Sequence, residues 1–183
     1  PDYGSEEYIN LCQNNPEVLN SGTFYYKHKK EWDGILPNSL RESILCFCLA
    51  NVVRDLRGQS KEPRSMLINM SRFIHVQKVI TGHIAEWFEE VFNDIRVNFN
   101  EDASKNYHLP LYGELHSLWK KHFCQVNDIT FARVSQKSAL LAALEKIEVK
   151  MVNGSKQSAS LNYKENPSLR VIAIGGLALS RRL

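Results

Sequence analysis

The chain has 183 residues, of which 43% are hydrophobic and 23% are charged. This composition is typical of one globular domain with a sizeable core, and it excludes a chain that is disordered throughout. No apolar run approaches the roughly 18 residues that a membrane-spanning helix needs, and no leader sequence is recognisable, so we expect a cytoplasmic protein. Because the first residue is Pro1 rather than Met, we expect a fragment of a larger protein.

Charge is distributed unevenly along the chain. Residues 1–102 carry 15 acidic against 11 basic side chains, whereas residues 103–183 carry 5 against 12. A basic second half is typical of proteins that contact nucleic acid or phosphate, although a solvated basic surface gives the same count.

The cysteines and histidines predict no metal site. The four cysteines include no C-x-x-C pair, and the six histidines include no H-E-x-x-H motif. Cys46 and Cys48 lie in the apolar stretch ILCFCLA and are predicted to be buried free thiols.

The first half of the chain is predicted to form a helix, a strand and a second helix, after an irregular segment at its beginning. Residues 1–36 show no sustained period and are predicted to be irregular, with at most a short helix near residues 6–13. Pro37 and Asn38 begin a predicted helix, which Gly58 ends. The apolar stretch SMLINM predicts a buried strand, and residues 73–95 have apolar positions at helical spacing that only Gly82 interrupts.

The second half continues this alternation. It predicts a helix over residues 111–124, a possible strand in DITFARV, a helix over residues 135–146, and a strand over 147–154 with Glu148 and Lys150 outward. The last strand, RVIAIGG, lacks polar alternation, which is typical of a central strand in a parallel sheet. We therefore predict an α/β fold with a mostly parallel sheet flanked by helices, plus extra helices between residues 73 and 146.

Two of the predicted strands are followed by a serine and an arginine. The four polar residues are Ser71, Arg72, Ser180 and Arg181. If the sheet is parallel, both pairs lie at its carboxyl edge, where α/β folds bind ligands. The arginine fork suits phosphate, and Gly175 and Gly176 allow backbone N–H groups to approach one closely. The simpler alternative is that Arg72 bridges locally and that the second pair belongs to a frayed terminus.

The common catalytic motifs are missing from the sequence. No G-x-x-x-x-G-K-[ST] and no G-x-S-x-G occurs, so we predict neither a primary phosphate cradle nor a serine hydrolase. A Mg²⁺-dependent nuclease is an open alternative, because Glu148 and Lys150 lie two apart on a predicted strand and Asp128 offers a second acid. One acid-x-Lys triplet is, however, about what chance gives in this composition.

Four stretches resemble successive blocks of the Z1 domain family. They are LPNSLRESILCFCLANVVRDLRG, RSMLINMSRF, VKMVNGSK and LRVIAIGGLALSR, which together extend from Pro37 to the end of the chain. This family is often labelled an endonuclease domain and is found in bacterial restriction-modification and phage-defence neighbourhoods. Its pattern also looks like the second RecA-like lobe of superfamily-two helicases and translocases. The resemblance implies a RecA-like α/β domain over residues 37–183.

The resemblance also implies roles for the predicted site. Ser71 and Arg72 would contact the DNA backbone. The seam that faces a first RecA-like lobe, outside this chain, would be lined by Gly175, Gly176, Ser180 and Arg181. The parent protein would then be an ATP-dependent DNA translocase that uses ATP and Mg²⁺, with restriction-modification proteins as further partners and no membrane contact. The fragment alone would hold no cofactor tightly and would be inactive as an ATPase.

Two departures from the family pattern limit this transfer, and two other functions stay open. Arg182 stands where the family usually has Gly, and the chain stops before a downstream Gln-x-x-Gly-Arg-like block. The first alternative is a Mg²⁺-dependent endonuclease that uses Asp128, Glu148 and Lys150. The second is a non-catalytic interaction module of a restriction system.

Overall fold

The computed structural model describes residues 36–69, 71, 73–152, 161, 163 and 165–176. The elements along these residues are α1 (Asn38–Leu56), β1 (Arg64–Asn69), α2 (Ile74–Asn98), a 3₁₀ turn (Ala103–Lys105), α3 (Pro110–His122), α4 (Phe131–Val134), α5 (Lys137–Leu144), β2 (Ile147–Val152) and β3 (Arg170–Gly175). The predicted α/β class is therefore confirmed, and the four longer predicted helices begin and end within three residues of the observed ones.

The sheet of the described residues has three parallel strands in the order β1-β3-β2. All six residues of β3 are buried, which confirms the prediction of a central strand. Its two faces pack differently: Ile172 and Ile174 join the main hydrophobic core, whereas Val171 and Ala173 belong to a smaller cluster on the other face. This arrangement explains why the strand sequence shows no polar alternation.

Strand β1 lies at an edge of this sheet and is less buried than predicted. Ile68 is 4% exposed, but its neighbour Leu67 is 38% exposed. An edge strand has only one neighbouring strand, so an apolar run does not by itself imply burial on both faces. The predicted burial was wrong for Leu67.

The helices cover one face of the sheet and form most of the core. Helix α2 packs against β2, β3 and α5, while α1 packs against α3 and α5. Helix α2 continues through Gly82, whose Cβ position is open, so the glycine does not break it. Among the described residues, no helix is both long enough and apolar enough to cross a membrane.

The predicted strand in DITFARV is wrong. Phe131–Val134 form a single helical turn, with the Val134 N–H donating to the carbonyl of Thr130 at 3.2 Å. Ala132 and Arg133 are both exposed, whereas the inward residues Phe131 and Val134 lie three apart. Inward residues three positions apart are typical of a helix. The alternation of apolar and polar residues at Ile129 and Phe131 does not continue to residue 133, so it is too short to indicate a strand.

Candidate functional site

The carboxyl edge of the sheet brings together two of the segments that the sequence predicted to share a site. In the parallel register between β1 and β3, Asn69 lies opposite Gly175. Ser71 follows β1 by two residues, and Gly176 directly follows β3. The Ser71 segment and the Gly-Gly segment therefore leave neighbouring strands at the same edge, as predicted. Arg72, Ser180 and Arg181, the other predicted residues of this site, lie outside the described residues.

Ser71 connects the end of β1 to the beginning of α2. Its side chain is not openly presented to solvent, because the residue is only 6% exposed. The hydroxyl Oγ accepts a hydrogen bond from the N–H of Phe73 at 3.0 Å, and the carbonyl accepts one from Nε2 of Gln77 at 2.8 Å. These bonds stabilise the turn between β1 and α2, and this turn places the amino end of α2 at the carboxyl edge of the sheet. Whether Ser71 contacts phosphate stays a prediction.

Gln77 is a candidate site residue that sequence reasoning missed. It is 3% exposed, and within the described part of the chain its Oε1 has no hydrogen-bond partner. A buried acceptor without a donor is costly, so this amide oxygen suits a donor brought by a ligand or by a neighbouring segment. Its position within the apolar pattern of α2 gave no signal of this role.

The nuclease candidates occupy two separate ion pairs. Glu148 and Lys150 pair with each other on β2. Asp128 accepts two hydrogen bonds from Arg57, to Oδ1 at 2.6 Å and to Oδ2 at 2.8 Å. These hydrogen bonds lower the pKa of Asp128 and raise the pKa of Arg57. The structure therefore does not bring Asp128 and Glu148 into one carboxylate pair with shared partners.

The sheet faces also separate these candidates. Arg170 reaches Asp55 on α1, so its neighbour Val171 points to the face of β3 away from α1. Glu148 lies opposite Val171 in the register and shares that face. Asp128 is instead tied to Arg57, which directly follows α1. Among the described residues, no three His, Cys, Asp or Glu side chains are placed to hold a metal ion.

A cluster of charged side chains is buried at the opposite, amino edge of the sheet. We call Asp55, Arg64 and Arg170 the arginine cluster. Arg64 and Arg170 open β1 and β3 and are register partners, and their side chains are 2% and 0% exposed. Arg170 donates to both carboxylate oxygens of Asp55 at 2.7 Å, and Nη2 of Arg64 forms an ion pair with Oδ1 at 2.7 Å.

Carbonyl oxygens complete the contacts of the arginine cluster. Arg64 donates to the carbonyls of Asn51 at 2.8 Å and Gln59 at 2.5 Å, and Arg170 donates to that of Ser60 at 3.1 Å. Two buried cations thus share one carboxylate, and burial lowers the pKa of Arg64. The recurrence of an arginine before an apolar run, in RSMLIN and RVIAIG, was the only sequence signal of this cluster.

The two cysteines predicted to be free thiols are unpaired. Cys48 is buried and Cys46 is half-buried. Burial raises the pKa of the Cys48 thiol to about 12, so this thiol stays protonated and inert at neutral pH.

Comparison with known proteins identifies the family. The profile of the Z1 domain matches residues 39–183, which include every described element from the first turn of α1 onward. No curated protein and no solved structure matches the chain. Because the match covers most of the sequence and includes all three strands of the sheet, this chain belongs to the Z1 domain family.

Proposed function

We propose that this domain grips the phosphate backbone of DNA at the carboxyl edge of its sheet, within a larger protein that uses ATP to move along DNA. The observation that carries the proposal is the register of β1 and β3. It sets the turn into α2 beside Gly175 and Gly176, at the edge where α/β folds bind ligands.

The amino end of α2 supplies the first attraction for phosphate. Helix α2 is 25 residues long, and the N–H groups of its first turn, which have no acceptor within the helix, carry a partial positive charge. The hydrogen bonds of Ser71 to Phe73 and Gln77 hold this turn rigidly, which limits the ordering cost of binding. Ser71 thus acts as a positioning residue for the helix end.

Glycines and arginines supply the rest of the proposed grip. Gly175 and Gly176 carry no side chain, but both are buried, so a phosphate would have to displace whatever covers their backbone before it could approach closely. Arg72 comes three residues after the end of β1, and a guanidinium donates two parallel hydrogen bonds to phosphate oxygens. The excess of basic residues in the second half of the chain adds long-range attraction.

ATP would be cradled mainly by another part of the protein, because this chain contains no G-x-x-x-x-G-K-[ST] motif. Hydrolysis of ATP, with Mg²⁺ neutralising charge on its phosphates, would supply the free energy that alternates tight and loose binding of DNA. The contribution of this chain would be the Gly-Gly segment and Arg181, which would face the nucleotide across a seam.

The proposal predicts that Arg72→Ala weakens DNA binding by at least about tenfold, because one charge-assisted phosphate contact is lost. Fluorescence anisotropy of a labelled duplex, titrated at several salt concentrations, measures the affinity. The slope of log affinity against log salt should fall in magnitude by about one. The control is Arg96→Ala, at the other end of α2 and about 33 Å from its first residue. Equal losses in the two variants, or no DNA binding by the unaltered chain, contradict the proposal.

A second candidate function is Mg²⁺-dependent DNA cleavage, which the family label suggests. The structural observation that favours it is the Glu148–Lys150 pair, since both side chains remain partly exposed on β2, at 47% and 32%. A strand-borne carboxylate beside a lysine suits Mg²⁺ binding and stabilisation of a developing negative charge.

One assay of the full-length protein separates the two functions. The motor predicts ATP hydrolysis that DNA stimulates and that Arg181→Ala reduces strongly, with no DNA cleavage. The nuclease predicts Mg²⁺-dependent cleavage that Glu148→Gln abolishes, because the substitution removes the charge that would bind the metal. Glu86→Gln, an exposed position on α2, is the matched control and should leave cleavage unchanged.

A further inference from the structure

We propose that a cavity at the amino edge of the sheet, between α1 and β1, binds a phosphate-sized oxyanion. The cavity has a volume of about 210 Å³, and its polar lining consists of Asn51, Arg54, Arg64 and Ser65. Residues at the amino end of β1 line it, whereas the proposed DNA grip lies beyond the carboxyl ends of the strands. It is therefore a site distinct from the DNA-binding edge.

The charges around the cavity do not balance. Arg54 pairs with Glu62, at 2.6 Å. Arg64 shares the single carboxylate of Asp55 with Arg170. Three guanidinium groups thus face two carboxylates, and two of the three are almost completely buried. In surroundings of low dielectric constant this surplus of one positive charge attracts an anion more strongly than it would in water.

The hydrogen bonds of Arg64 leave one donor unused. Its Nη1 and Nη2 donate to Asn51 and Gln59, and Nη2 also forms the ion pair with Asp55. Its Nε is buried and, within the described residues, has no acceptor. A buried donor of this kind costs about 1–3 kcal/mol when it is unsatisfied. An oxyanion beside Arg64 would supply both the missing acceptor and the missing negative charge.

Arg54 is the group that can turn to an incoming anion. Its Nε donates to the side-chain oxygen of Gln59 at 2.9 Å, and its Nη2 binds Glu62. Glu62 is 55% exposed, so its carboxylate can leave for solvent at little cost. Phosphate and carboxylate groups both fit a guanidinium fork. The shared chemistry is a small oxyanion that replaces Glu62 on Arg54.

Inorganic phosphate is the probe for this site, in the absence of DNA. Titration calorimetry of the chain at constant ionic strength should show binding, and phosphate should raise the melting temperature where chloride does not. Acetate in a parallel titration distinguishes a carboxylate site from a phosphate site. No heat and no shift with either anion overturns the proposal. Because no DNA is present, failure here is separate from failure of the proposed function.

Two variants locate the binding. Arg54→Gln should weaken phosphate binding by at least about tenfold, because a charge-assisted contact is lost. The matched control is Arg57→Gln, one turn along, whose ion pair with Asp128 is similarly exposed but lies outside the cavity. Glu62→Gln should tighten binding about two- to fivefold, because it removes the competing carboxylate. Equal affinities of the Arg54 and Arg57 variants, or weaker binding by Glu62→Gln, overturn the proposal.

Discussion

Replacing Asp55 with asparagine is expected to lower the free energy of unfolding by about 3–5 kcal/mol. Asp55 is the carboxylate that Arg64 and Arg170 share, and both guanidinium groups are almost completely buried. Asparagine keeps the size of the side chain but removes its charge. The two cations would then repel each other in a low-dielectric environment with no counter-charge, and one of the two hydrogen bonds from Arg170 to the carboxylate would lose its acceptor.

The matched control is Asp128→Asn. Asp128 also accepts two hydrogen bonds from an arginine, but that ion pair is about half exposed on both sides. Exposed ion pairs contribute little because solvent screens them. Urea denaturation of the two variants, followed by circular dichroism, compares them directly. A loss in Asp55→Asn no larger than that in Asp128→Asn would show that water reaches the arginine cluster and screens it.

Elements with many apolar positions were predictable from sequence. The periodicity of α2 extends over seven turns, so the helix was evident despite Gly82. The run of apolar residues in β3 identified a central strand for the same reason. The four residues of α4 offered too few positions to separate a period of two from a period of three. The exposure of Leu67 depended on which strands pair, which local sequence does not specify.

The only part of the candidate site that could be predicted from the sequence is the part whose position follows from the direction of the strands. The parallel pairing of β1 and β3 was predicted correctly, and it places Ser71 and Gly175 at one edge of the sheet. That Ser71, Arg72, Ser180 and Arg181 form one site stays a prediction. The bond between Arg57 and Asp128 joins residues 71 positions apart, and the bond between Asp55 and Arg170 joins residues 115 apart. Such pairings depend on how α1 packs against the sheet and on the positions of the loops. No spacing in the sequence indicates them.

The central strand should be as sensitive to lost volume as the arginine cluster is to lost charge. Ile172→Ala is expected to lower the free energy of unfolding by about 2–5 kcal/mol, because Ile172 is 0% exposed and lies in the main core. Ile74→Ala, at a position 58% exposed, is the control and should change stability by less than about 0.5 kcal/mol.

The same variant also tests how the DNA-binding edge is supported. Ile172 lies three residues before Gly175 on β3, with its side chain in the core rather than at the edge. At a temperature where Ile172→Ala stays folded, DNA affinity should therefore equal that of the unaltered chain, while the urea midpoint falls. A parallel loss of affinity in the fully folded variant would instead mean that packing under β3 holds the Gly-Gly segment in its binding position. The grip on phosphate would then depend on the core as well as on the residues at the edge.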